Sequence, residues 1–218
     1  MTGQFDKKRQ SKKSTSQMAI IAVLGAIEIM LSVTPLGYIP LGVTRATTIH
    51  IPVIIGAMLL GPGTGAILGG IFGFTSFITN TISPTITSFV FTPFYPVPGK
   101  NSGSLLSIMI CFLPRILIGV SAGYFWKSAK TVSKSKDPSI LSSALTGIIG
   151  SLTNTILVMF GIYIFFGTAY ASAKGIDPSQ LLGYILGTVI AINGILEAVV
   201  AGVLVAAIGR PVLKLGRG

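Results

Sequence analysis

Charge is scarce in this chain of 218 residues, and negative charge is scarcest: 10% of the residues are charged and 5 are acidic, beside 16 lysines and arginines. Soluble domains carry about a quarter charged residues, so an ordinary water-exposed surface is excluded. Cysteine is limited to Cys111, inside an apolar stretch. That excludes a disulfide framework and a cysteine-built metal site, and leaves packing as its role. There is no HExxH and no cluster of histidines and cysteines, so neither a metal nor another cofactor is expected. No Ser, His and carboxylate set stands out, and the chain is not expected to be an enzyme. The phosphate-binding pattern GxxxxGK[ST] is also missing, so the chain cannot couple ATP hydrolysis to work by itself.

Apolar residues, by contrast, make up 50% of the chain and the mean hydropathy is +0.81. Apolar runs cover 17–34, 46–60, 64–80, 104–126, 139–167 and 181–208. A spanning helix needs about 20 residues, so the sequence predicts an all-α integral membrane protein, a six-helix transmembrane bundle with no separate soluble domain. The predicted domains are a basic tail over 1–16, the substrate-binding bundle over 17–208 and a basic tail over 209–218. The second run is short, contains Pro52 and ends in Gly61-Pro62-Gly63, a tight turn. The first tail and the run behind it resemble a signal peptide, but no cleavage site precedes a polar domain, and the tail is read as retained.

The net charge of +11 does not point to nucleic acid, because the basic residues lie between oily runs and not on a basic, aromatic-rich surface. Their distribution sets orientation instead. Twelve of the 16 fall on one side of a six-span chain, in 7–13, 127–136 and 210–217. Positive charge is retained on the cytoplasmic side, which predicts both termini in the cytoplasm and the 80–103 loop outside. This loop, rich in Thr, Pro and aromatics, is broken by prolines 84, 93, 96 and 98. It is read as a lid over a polar cavity; an interfacial aromatic belt is the alternative.

Ionisable groups inside a bilayer are costly and mark function. Glu28 lies in the first run, His50 in the second, Arg115 in the fourth and Glu197 in the sixth, with Asn154 and Asn193 as uncharged polar groups. Arg115 either contacts a ligand or pairs internally with Glu28 or Glu197. Glu197 shares a helix face with Asn193 and is read as structural or gating, as is Glu28. Arg45, His50, Lys100 and Arg115 bias the outer mouth towards an anionic solute, and Thr44, Thr47 and Thr48 offer hydroxyls to it. On the first helix, Ala22 and Ala26 form a stripe turned about 140° from Glu28. If the acid faces inward, that stripe faces a partner helix. Gly65, Gly69 and Gly73, with Gly119 and Gly123, are read as helix-packing positions.

The chain resembles the substrate-binding S components of energy-coupling factor (ECF) vitamin transporters. The resemblance covers most of the chain and rests on the basic N-terminus, the six short runs, Ala22-Val23-Leu24-Gly25-Ala26 and Leu60-Gly61-Pro62-Gly63-Thr64-Gly65-Ala66. Within the family, VTRATTIHIPVIIGAMLLGP and TSFITNTISPTITSFVFTP are most similar to pantothenate-type S components. The resemblance implies a bacterial plasma-membrane protein that takes a water-soluble vitamin from outside. Its partners would be membrane lipid, a transmembrane scaffold subunit docked on Ala22 and Ala26, and two ATPase subunits. Pantothenate, a carboxylate with hydroxyl and amide groups, would be neutralised by Arg45 or Arg115. His50, Thr44, Thr48, Asn80, Thr81 and Asn193 would bind its polar groups. Pyridoxine or another vitamin, and a stand-alone ion-coupled transporter using Glu28 and Glu197, remain as alternatives.

Overall fold

In the computed structural model, residues 2–41, 44–133, 139–209 and 211–212 are described; for 2–14, 38–46 and 133 the description is of the backbone alone. Among the described residues the regular structure is helical apart from one ribbon of two four-residue strands. Helix α1 (Thr2–Val33) is followed by strands β1 (Tyr38–Leu41) and β2 (Thr44–Thr47), then by α2 (His50–Leu60) and α3 (Pro62–Ile82). After the long connection come α4 (Leu106–Ser133) and α5 (Ile140–Lys174). The last rod is composite: α6 (Leu181–Tyr184), a π-helical stretch Ile185–Gly194, α7 (Ile195–Leu204) and a π-helical end Val205–Gly209.

Among the described residues, five helical segments are long and apolar enough to cross a membrane: Thr15–Val33, Pro62–Ile82, Leu106–Val132, Ile140–Lys174 and Pro178–Gly209. The sixth, α2, has 11 residues and rises only about 16 Å, so it cannot cross alone. The second apolar run was expected to be helical from 46; Thr44–Thr47 instead pair antiparallel with Tyr38–Leu41, in the register Tyr38↔Thr47 and Leu41↔Thr44. Tyr, Ile and the β-branched threonines favour a pleated strand here. The ribbon uses the chain that a full second span would have needed. At the other end α2 turns through Gly61, whose φ of 96° is open to glycine, and Pro62 starts α3 at a position that needs no N–H.

Helix α3 packs on α4 almost backbone to backbone. A Cβ on Gly65 would stand 2.7 Å from the Gly119 Cα, and one on Gly123 2.6 Å from the Pro62 Cα. The glycine stripes of the two helices therefore face each other, the close approach that small residues allow where lipid offers no hydrophobic drive. Helix α5 meets the last rod in the same way, Gly147 against Ala201 and Gly202. Two buried clusters result. One, around Ile49, Ile54, Leu68, Ile118 and Trp126, joins α2, α3 and α4. The other, around Phe89, Ile110, Ile162, Phe166 and Ile185, seats the α3–α4 connection on α4, α5 and the last rod.

Candidate functional site

Contacts at glycine fix the heights of side chains in the bundle. A Cβ on Gly150 would touch Ile54 Cδ1 at 2.7 Å and Ile118 Cγ2 at 3.4 Å, so Ile54 of α2, Ile118 of α4 and Gly150 of α5 form one apolar floor. About one helical turn from each, on the same face and all towards the 83–105 connection, lie His50, Arg115 and Asn154. The last rod joins this layer at Asn193, because the adjacent Gly194 packs against Thr155 Cγ2.

His50, Asn154 and Asn193 have spare hydrogen-bonding capacity in this layer. His50 is 1% exposed and Arg115 7%. Both ring nitrogens of His50 and the Oδ1 atoms of Asn154 and Asn193 are buried without a hydrogen-bond partner among the described residues, as is the Ser151 hydroxyl. Buried polar groups cost free energy unless bonded. A convergent set of this kind suits a polar solute that completes the bonds.

Arg115 is held by local chemistry. Pro114, inside α4, lacks the N–H that would bond the carbonyl four residues back, and Arg115 Nη1 donates to that Ile110 oxygen at 2.9 Å. Its guanidinium carbon lies 5.6 Å from the Phe72 centroid and 4.9 Å from that of Phe91. Glu28, fully buried, has no hydrogen-bond partner among the described residues, so the Arg115–Glu28 pair is not formed. The Glu197 carboxylate accepts the Thr47 N–H at 2.9 Å and interacts electrostatically with His50.

The sequence reading placed Asn80 and Thr81 at the ligand; the structure engages both with the connection. Ser88 Oγ donates to Asn80 Oδ1 at 2.8 Å while Asn80 Nδ2 donates to the Ser76 carbonyl. Thr81 and Thr92 share a 2.8 Å hydroxyl contact. These ties bracket Phe89, which is buried against Phe166 at 5.8 Å, and Phe91, which covers Arg115. Thr48 donates its hydroxyl to the Leu36 carbonyl at 2.6 Å, closing the base of the ribbon. The side chains of Thr44 and Arg45 lie outside the described residues, and Lys100 is exposed. Ala22 and Ala26 are exposed and Glu28 is buried on another face of α1. A cavity of about 790 Å³ between α1, α2 and the end of the last rod is lined mainly by apolar side chains such as Val23, Ile27, Ile55 and Ile208. Ser16 and Thr48 are the polar residues of its lining.

The family model described as "ECF transporter, substrate-specific component" matches residues 16–209. The chain belongs to this family. As a substrate-specific component it is a transport protein and not an enzyme. Two relatives extend the match along nearly the whole chain. One is the pantothenic acid transporter PanT of Lactococcus lactis subsp. cremoris, 36% identical over 200 residues, covering 90% of this chain and 93% of the relative. The other is the pantothenate transporter PanT of Leuconostoc mesenteroides subsp. mesenteroides, 30% identical over 215 residues, covering 94% and 96%. Sequence reasoning left Asn154 and Ser151 out of the site, since only the Gly150 contact shows that their face of α5 turns towards α2 and α4.

Proposed function

We propose that this S component captures pantothenate from outside a bacterial plasma membrane and delivers it inward through a scaffold subunit and two ATPases. The observation that carries the reading is the layer of His50, Asn154 and Asn193, whose buried polar atoms lack hydrogen-bond partners among the described residues, beside the buried cation of Arg115. Pantothenate matches it group by group. Arg115, with Arg45 as a second cation, neutralises the carboxylate, and a charge-assisted bond there is about twice as strong as a neutral one. His50, Asn154 and Asn193 bond its amide and hydroxyls, and the connection closes above them.

The finer topology belongs to the same proposal. The ribbon and α2 together count as the second of six passes, so both basic tails, 1–16 and 209–218, lie in the cytoplasm around the bundle 17–208, in accord with the positive-inside rule. Ala22 and Ala26, exposed on α1, form the scaffold-docking stripe. Calorimetry of the purified protein against a vitamin panel tests the substrate: saturable binding of pantothenate is expected. Binding of pyridoxine or another vitamin in its place would overturn the assignment.

A further inference from the structure

We propose that Glu197 is a positioning residue that holds the ribbon, and through it His50, in binding register. The inference rests on reading the polar layer as the solute site. A lone two-stranded ribbon is marginally stable, so its placement depends on ties to the bundle. Two ties lie at its base, within the same stretch of chain: Thr48 N–H to the Gly37 carbonyl at 3.0 Å and the Thr48 hydroxyl to the Leu36 carbonyl. They close the ribbon on itself but do not fix it against the bundle.

Among the described residues, the hydrogen bond that reaches across is Thr47 N–H to Glu197 Oε1 at 2.9 Å, between residues 150 positions apart. Its ionisable acceptor sits in the first turn of α7, directly after the π-helical stretch that carries Asn193. From Thr47 the chain passes through Thr48 and Ile49 straight into His50, the first residue of α2, and no side chain caps this helix start. Glu197 thus sets where α2 begins relative to the last rod, and so the spacing between His50 and Asn193. Binding groups need placement to about 0.5 Å, so losing this tie lowers affinity without removing any solute contact.

The test compares Glu197→Met, which keeps volume but loses the acceptor, with Glu197→Gln, which keeps an acceptor oxygen. Deuterium exchange is followed by mass spectrometry on the ligand-free full-length protein, and pantothenate affinity by calorimetry. For Glu197→Met we expect faster exchange confined to residues 38–49 and about tenfold weaker binding. For Glu197→Gln we expect ribbon protection retained and affinity within about threefold of wild type. Ribbon exchange unchanged in Glu197→Met, or faster exchange with wild-type affinity, overturns the proposal. Exchange raised uniformly along the chain does so as well, since Glu197 would then be a general stabiliser. A wild-type protein that binds no pantothenate sinks the solute reading instead, and the exchange comparison still decides the tie.

Discussion

The Phe91 ring sits 4.9 Å from the Arg115 guanidinium and the Phe72 ring 5.6 Å, so a cation of the polar layer touches rings from both α3 and the connection. A desolvated cation–π contact contributes up to about 2 kcal/mol. Here it couples the seating of the connection to the group proposed to receive the solute's carboxylate.

Phe91→Ala removes the nearer of these two ring contacts while Thr81–Thr92 and Ser88–Asn80 still tie the connection down. Pantothenate dissociation is expected to speed up by about five- to thirtyfold, with a smaller change in association, since desolvated contacts act mainly on off-rates. Stopped-flow release from preloaded protein measures this.

Asn154→Ala deletes an amide whose oxygen has no partner within the protein among the described residues. Its loss should leave the melting temperature nearly unchanged and weaken pantothenate binding about tenfold, the effect of losing one good hydrogen bond in a buried site. Parallel thermal melts and titrations separate the two effects.

Gly119→Leu puts a side chain where the α3 backbone lies at Gly65. Overpacking a tight contact costs about 1–3 kcal/mol or more, and backbone cannot rotate away as a side chain can. The variant is expected to melt at a clearly lower temperature in detergent, whereas Gly70→Leu, with open space around it, should melt like wild type.

Ala22→Trp with Ala26→Trp enlarges two exposed positions on α1. Pantothenate affinity of the isolated protein should stay within about twofold, because α1 adds no member to the polar layer, while uptake by cells that carry the full transporter should fall to background. Unchanged uptake would remove this stripe as the docking face.

Much of the bundle was legible because apolar runs of spanning length leave few alternatives in this composition. The ribbon was not: Thr-Arg-Ala-Thr-Thr adjoins the oily residues of α2 without a turn signal, and only pairing with 38–41 separates it from the helix. The proposed site is legible in the sequence only in part. His50, Arg115 and Asn193 stand out as rare polar groups in oil, and the structure places them at one height. Asn154 stood out equally, but its height depends on which helix meets Gly150, a tertiary fact. Asn80 and Thr81 are ambiguous in the sequence for a related reason. An amide and a hydroxyl can bond a ligand or a loop, and Ser88 and Thr92, eight and eleven positions on, take them for the loop.

A structure of the full-length protein soaked with pantothenate tests the central claim most directly. The account predicts ligand density within hydrogen-bonding distance of Arg115, His50, Asn154 and Asn193, beneath Phe91. Density for the vitamin in the apolar groove between α1 and the last rod, with the polar layer unchanged, would contradict it.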